Sequence, residues 1–257
     1  MNFVIAADSD IGIKKDTNQD SLDVKVLNTP KGQMCLAVLC DGMGGLQKGE
    51  IASSTVVQAF DTWTKTRIPV LFAQHDYIPD HVIREEWEAL IQEMNSKIAG
   101  FGNFHGIKLG TTLTAILITQ HRYYVAQVGD SRLYELTSIV KQITEDQTLI
   151  QQEINMGRLT EEQAKVDPRR SVLLQCIGVN DTVHPAFYFG DPYSGQTFLI
   201  CSDGFRHEIS PQEIFQSLGS HNIADEQTIR NNIRGLIEMN KYRMEDDNIS
   251  AIVIRVK

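Results

Sequence analysis

The chain has 257 residues, enough for one large domain or two small ones. Its 42% apolar and 22% charged residues are ordinary for a soluble globular protein, and runs such as Leu36–Cys40 fall far short of the ~18 residues of a membrane span. Thirty-three acidic against twenty-four basic residues give a net charge of −9, which argues against nucleic-acid binding, and no basic-then-apolar leader opens the chain, so a cytoplasmic protein is expected.

Strand-like segments come first, at Phe3–Ala7, Leu22–Leu27 and Met34–Cys40. A helical spacing of Ile51, Val56, Ala59, Phe60 and Trp63 predicts a helix over Glu50–Thr64. A second begins with Asp80 as N-cap and carries the stripe Ile83, Trp87, Leu90, Ile91, Met94 and Ile98. The following Phe101–Gly106 reads as a loop without assigned role. Strands at Thr111–Thr119, Tyr123–Val128 and Arg132–Leu136 are joined by connections short enough for an antiparallel meander. Helices follow at Thr148–Asn155 and Thr160–Lys165, the latter opening as a Thr-x-x-Gln capping box. Around them, Arg158–Gly178 reads as an excursion over the surface. Strands return at Pro185–Phe189 and Thr197–Cys201. Ser210-Pro-Gln-Glu213 opens a helix with cap, first-position proline and capping glutamate. Ile229, Ile233, Leu236 and Ile237 mark another, and Ile249–Val256 alternates as a last strand. No repeat or linker interrupts this series, so one domain over 1–257 of α+β architecture is expected. Cys35, Cys40, Cys176 and Cys201 show no C-x-x-C pairing and read as buried, reduced thiols.

Aspartates recur where an apolar strand stops and a glycine or turn begins. Leu36–Cys40 ends at Asp41-Gly-Met-Gly-Gly45, Val125–Val128 at Gly129-Asp-Ser131, and Phe198–Cys201 at Ser202-Asp-Gly204. Asp247-Asn248 stands at the mouth of the last strand, and Asp20 follows Thr17-Asn-Gln19. A strand holds a carboxylate at its tip rigidly, and a following glycine lets the backbone turn and approach a ligand. Each Asp-Gly taken alone also reads as a hairpin turn. Several of them converging would repel and lose hydration, at several kcal/mol each, unless cations sat among them. An all-oxygen donor set selects Mg²⁺ or Mn²⁺ over zinc. Two such ions would acidify a shared water and clamp a phosphoryl group, so spacing alone favours a metal-dependent phosphoryl-transfer enzyme.

The ordered stretches Asp10-x-Gly12, Asn18-Gln-Asp-Ser21, Asp41-Gly-Met-Gly-Gly-Leu-Gln-Lys-Gly-Glu-Ile-Ala-Ser53, Gly110-Thr-Thr112, Val128-Gly-Asp-Ser-Arg132, Cys201-Ser-Asp-Gly204 and Asp247-Asn-Ile-Ser250 run over nearly the full chain. Together they resemble a bacterial metal-dependent serine/threonine phosphatase of the protein phosphatase 2C type, the PPM family. The resemblance implies a four-layer α/β/β/α sandwich of two antiparallel sheets flanked by helix pairs, with a variable flap at about 157–178. It implies hydrolysis of phosphoserine and phosphothreonine by a metal-activated water, with two Mn²⁺ or Mg²⁺ ions. Asp41 would bridge the two, the Gly42 carbonyl would bind one, and Asp203 and Asp247 the other. Asp20 would act indirectly, orienting the site, and Asp130 would help hold a third, weaker ion. Thr111 and Thr112 would begin a core strand. Phosphorylated proteins, a cognate serine/threonine kinase among them, would be the partners of a monomeric protein that engages neither nucleic acid nor membrane.

Three positions depart from the family pattern. Lys15 stands where an arginine usually grips the substrate phosphate, keeping the charge and losing the bidentate fork. Leu46 replaces a common histidine after the glycine pair, and Met43 a histidine of some eukaryotic members, so no side chain is assigned as general acid. His207 replaces an aspartate four residues after Asp203, where it would either weaken the third ion or be only a surface residue, the latter being preferred. Arg169 and Arg170 in the flap read as a solvated pair or as a guide for acidic phosphopeptides. The departures motivate one alternative, a catalytically weak phosphatase-like module that binds a phosphoprotein or regulator. A cysteine phosphatase is excluded because Arg206 follows Cys201 by five residues rather than six. Asp8-Ser-Asp-Ile-Gly12 imitates a haloacid-dehalogenase start but leaves the other motifs unexplained, and the glycines around Gly42 continue into neither a dinucleotide nor a Walker loop.

Overall fold

The structure is a computed structural model that describes residues 1–43, 48–75 and 77–257. Gly44, Gly45 and Leu46 of the glycine-rich stretch lie outside the described residues. Strands β1 (Phe3–Asp10), β2 (Asp20–Thr29) and β3 (Gly32–Met43) precede helices α1 (Gly49–Gln74) and α2 (Asp80–His105). Then come β4 (Gly110–Thr111), β5 (Leu113–Ile118), β6 (Tyr123–Val128), β7 (Arg132–Leu136) and β8 (Val140–Gln142). The short helices α3 (Leu149–Asn155) and α4 (Glu161–Lys165) lead to β9 (Ala186–Gly190) and β10 (Thr197–Cys201). Helices α5 (Asp203–Arg206), α6 (Pro211–Leu218) and α7 (Glu226–Tyr242) and strand β11 (Ile249–Val256) complete the chain.

Two antiparallel sheets form, ordered β1-β11-β10-β7-β8 and β2-β3-β5-β6-β9, with β4 paired to β3. Side chains alternate faces along a strand, and here both faces are buried, which is why β3 and β10 read as unbroken apolar runs. On β3, Cys35, Ala37 and Leu39 point to the opposite sheet, where they meet Phe198, Ile200, Ile252 and Ile254. Met34, Leu36, Val38 and Cys40 point outward, against Phe60, Trp63, Ile83 and Trp87 of α1 and α2. The outer face of the other sheet, Leu199, Cys201, Ala251 and Val253, packs on Phe205, Ile214, Ile229 and Ile233. The result is the expected α/β/β/α sandwich. The four cysteines are buried and free. Among the described residues no helix is long and apolar enough to cross a membrane.

Several local expectations are corrected. The three strands read as one meander do not form one: β5 pairs with β6, but β7 pairs with β10 and β8 in the other sheet. Gly129, at φ +95, turns the chain across the sandwich instead, and Asp130 sits on that crossing. Asp80 does not cap α2, because both its carboxylate oxygens accept from the Arg122 guanidinium, and Pro79 occupies the cap position. Phe101–His105 is the last turn of α2 rather than a loop. Gly102 admits the Ile107 carbonyl there, and Gly106, at φ +66, ends the helix. α1 runs ten residues past Thr64, through Pro69, because Ile68 and Leu71 continue its buried face. In the flap, Arg169 is half-exposed and pairs with Asp167 at 2.8 Å.

Candidate active site

The antiparallel pairings explain why aspartates far apart in sequence come to one end of the sandwich. β2 begins where β3 ends, so Asp20 and Asp41 are direct cross-strand partners. β10 ends where β11 begins, which sets Asp203 beside the turn that carries Asp247. Asp130 enters from the crossing between β6 and β7. Like charges across a strand pair destabilise a sheet, so this placement costs stability unless something offsets it.

Asp41 is held by its backbone. Its N–H donates to Thr112 Oγ1 at 2.9 Å, and its carbonyl accepts from the Thr111 hydroxyl at 2.9 Å and the Thr112 N–H at 2.9 Å. Thr112 in turn shares a 2.8 Å hydrogen bond with Ser131, the neighbour of Asp130. The two threonines therefore tie two candidate ligand segments together, a role beyond opening a core strand. Gly42 lies where three stretches of backbone meet: its N–H donates to the Gln19 carbonyl at 3.1 Å, and a Cβ there would stand 2.4 Å from the Gly49 carbonyl oxygen. Only glycine fits at that approach.

The Asp247 turn is set by Glu245, whose Oε1 accepts from the N–H groups of Asp246 and Asp247, each at 3.0 Å. Asn248 accepts from the Gln19 N–H at 2.9 Å and donates to the carbonyls of Ile11 at 2.9 Å and Thr17 at 3.2 Å, pinning both ends of the loop that bears Lys15. Gly12, at φ +78, presses the same loop so closely on this turn that a Cβ would lie 2.3 Å from the Asp247 carbonyl oxygen. Lys15 Nζ contacts Asp247 Oδ1 at 2.7 Å, and Lys14 repeats the pairing with Asp246 at 2.7 Å. The phosphate-reading lysine is thus beside a candidate metal ligand. Burial opposes its charge, but the hydrogen bond to Asp247 and the fields of Asp247, Asp41 and Asp203 outweigh that and raise its pKa.

The electrostatics agree with the convergence. Burial pushes the Asp41 carboxyl well above the usual range, and the charges of Asp20, Asp203, Asp130 and Asp247 push it further. Asp20 is pushed up to about 7, chiefly by burial and the charge of Asp203. Both Asp20 carboxylate oxygens and Asp203 Oδ1 are buried without a hydrogen-bond partner. Asp130 is also pushed up to about 7, mainly by burial and Asp203, against the opposing pull of Arg206 and His207.

Orphaned buried carboxylate oxygens in an all-oxygen donor set suit hard divalent cations, so the residues present fit such ions. As they stand, no three His, Cys, Asp or Glu side chains among the described residues converge on one coordination point. The aspartates therefore share one electrostatic site without a closed cage. His207, read from sequence as a surface residue, is not one: its side chain is 15% exposed and lies between Asp203 and Glu245. Arg206 was given no role from sequence, yet its buried guanidinium stands between Asp130 and Asp146.

Comparison with known proteins agrees with this geometry. The family described as protein phosphatase 2C matches residues 13–237. A putative protein phosphatase 2C-type protein of Streptococcus pyogenes is 31% identical over 97% of this chain and 96% of its own length. The serine/threonine protein phosphatase PstP of Mycobacterium tuberculosis is 31% identical over 98% of this chain, which spans 44% of that longer relative. The crystal structure of a PstP catalytic domain in complex with two manganese ions superposes with a TM-score of 0.78 at 28% identity, covering 100% of both chains. With a family match over most of its length and relatives above 30% identity, the chain belongs to the protein phosphatase 2C family.

Proposed function

We propose that residues 1–257 form one catalytic domain that hydrolyses phosphoserine and phosphothreonine in proteins, with Asp41, the Gly42 carbonyl, Asp203 and Asp247 as the residues that would hold two divalent ions. The observation that carries this reading is that Asp20 and Asp41 are direct cross-strand partners at one end of the two sheets, where the charges of Asp203, Asp130 and Asp247 also reach Asp41. Bound Mn²⁺ or Mg²⁺ would supply concentrated positive charge for the phosphoryl oxygens and acidify water at the site.

The chain's own residues supply the rest. Thr111 and Thr112 fix the backbone of Asp41, so its carboxylate is presented with little freedom. Asp20, the cross-strand partner of Asp41 with both oxygens unpartnered, would orient the site through a bound water. Lys15 brings a cation to the non-bridging oxygens of the substrate phosphate; as a point charge it attracts without imposing a plane. Its half-exposed ammonium sits at the rim, within reach of an incoming phosphoryl group. The flap at about 157–178 borders this face, and phosphorylated proteins, a cognate serine/threonine kinase among them, would be the substrates of a cytoplasmic monomer.

Turnover of p-nitrophenyl phosphate and of a phosphothreonine peptide, with Mn²⁺ and with chelator, tests the reading. Metal-dependent release of phosphate from both is expected. Unchanged turnover in chelator would falsify it, and tight phosphopeptide binding without turnover would favour the phosphatase-like binding module.

A further inference from the structure

Helix α5 begins at Asp203 and lasts a single turn, and it sets two basic side chains, Arg206 and His207, beside the candidate metal site. The Arg206 side chain is 13% exposed. Its Nη2 lies 3.6 Å from Asp130 Oδ2, donates to the Asp130 backbone carbonyl at 3.2 Å and reaches Asp146 Oδ2 at 3.4 Å. Asp146 is itself fixed by a bidentate pair with Arg132, at 2.7 Å on each oxygen. The guanidinium is therefore held by hydrogen bonds to the Asp130 carbonyl and Asp146, with the Asp130 carboxylate beside it. His207, four residues after Asp203, turns Nε2 toward Asp203 at 3.6 Å and Nδ1 toward Glu245 at 3.4 Å.

A third ion at Asp130 would need a second anionic ligand not already engaged and a space free of positive charge. The nearby anions are Asp203, a candidate ligand of the main site, and Asp146, held by Arg132, and the space beside Asp130 holds the Arg206 guanidinium. Residue 207 offers an imidazole whose nitrogens both face other carboxylates, and the one carboxylate that would anchor the ion already lies against a permanent cation. Arginine keeps its charge at every accessible pH and is less strongly hydrated than an ammonium, so it tolerates this buried position better than lysine would. A divalent ion sharing the same carboxylate would meet the guanidinium at close range in a medium of low dielectric.

We propose that Arg206 is a built-in cation that takes the place of a third ion at Asp130, so that this chain is a two-ion enzyme. The proposal rests on the two-ion reading of Asp41, Asp203 and Asp247 given above. Arg206 acts as a positioning residue: it steadies Asp130 and the crossing between β6 and β7 whatever the concentration of free metal.

The test is manganese stoichiometry of the full chain, by native mass spectrometry and by calorimetric titration carried into the millimolar range. The wild type is expected to take up two ions, and Asp130→Asn to leave that number unchanged. Arg206→Gln gains a third, weaker site, the double variant Arg206→Gln/Asp130→Asn loses it, and Arg206→Lys, which keeps the charge, remains at two. A wild type that binds three ions, one of them lost in Asp130→Asn, overturns the proposal. So does a folded Arg206→Gln protein that stays at two. If Arg206→Gln does not fold, the comparison of wild type with Asp130→Asn decides alone. Fewer than two ions in the wild type fails the underlying reading of the site and the proposal with it, whereas three fails the proposal only.

Discussion

Two sets of buried carboxylates lie next to one another in this molecule and are treated in opposite ways. Asp146 is 8% exposed and is met by the full fork of Arg132 and by Arg206, with Gln142 donating to it as well. Asp20, Asp41 and Asp203 lie a strand or a turn away. Asp20 and one oxygen of Asp203 have no partner, and the principal charges acting on Asp41 are other carboxylates. The first set has both carboxylate oxygens partnered within the chain. Its carboxylate is met by two permanent cations, and its work is to hold β7 to the segment that leads into α3. The second set stores repulsion that the chain does not relieve, and a site of this kind is stable only when something from outside brings positive charge. The contrast separates structural aspartates from those held for a ligand, even though all of them are acidic, buried and near strand ends.

The largest expected effect falls on the uncompensated set. Asp41→Asn removes a charge that would hold divalent ions, and the loss of several kcal/mol of transition-state stabilisation should lower turnover on p-nitrophenyl phosphate by about 10³-fold. In chelator the same variant should be more stable than the wild type, since it deletes a charge that its neighbours repel. A variant that loses activity and also unfolds more readily without metal would erase the distinction between the two sets. Asp146→Asn should behave inversely. It strands Arg132 and weakens the hold on Arg206, so a loss of roughly 3 kcal/mol in the denaturant unfolding free energy is expected. A change within experimental error would mean that the arginine network is solvated rather than structural.

A pH titration of stability sharpens the same contrast. The Asp20 carboxyl is pushed up to about 7 in the folded chain by burial and by the charges of Asp203 and Asp247, from an ordinary value of 3.8, and Asp41 is likewise raised by burial and its acidic neighbours. Between these limits the folded state binds more protons than the unfolded state, so stability should fall as pH rises from about 4 to about 7. This slope belongs to the metal-free protein. With Mn²⁺ saturating, positive charge replaces the protons and the thermal midpoint should flatten over the same range. Parallel curves with and without metal would show that the raised carboxyls lie elsewhere than at the ion site.

The strand-tip aspartates were legible because a rigid strand ending in Asp and followed by Gly is a local pattern, and antiparallel pairing brings such ends together. The layers were legible for a related reason: β3, β10 and β11 are apolar on both faces, as strands sandwiched between a sheet and helices must be. What sequence did not yield depends on partners far along the chain. Gly129-Asp-Ser131 has the length of a hairpin, and length does not tell which sheet receives the next strand. Asp80 has the chemistry of a helix cap, but Arg122, forty-two residues away, takes both its oxygens. Arg206 and His207 look like surface cations until the fold places Asp130 and Asp146 against one and Asp203 and Glu245 against the other. The glycines and Asn103 near the end of α2 suggested a loop, whereas Gly102 admits the Ile107 carbonyl and lets the helix pack to its last turn.

The smallest expected effect concerns Lys15, which belongs to both sets at once. It is a cation of the chain, 2.7 Å from Asp247, and in that respect resembles the arginines at Asp146. Unlike them it is half-exposed, at 41%, and sits on a loop pinned at its ends by Asn248 rather than in the core. Its ion pair is therefore weak and exchangeable, and an incoming phosphate can compete with Asp247 for the ammonium. Replacing it with arginine restores a planar fork that can engage two phosphoryl oxygens together, which is worth about 1 kcal/mol over a single point contact. Lys15→Arg should lower KM for a phosphothreonine peptide roughly fivefold and change kcat little. If the variant is inactive instead, the longer side chain has locked Asp247, and position 15 belongs with the compensating cations rather than with those that read substrate.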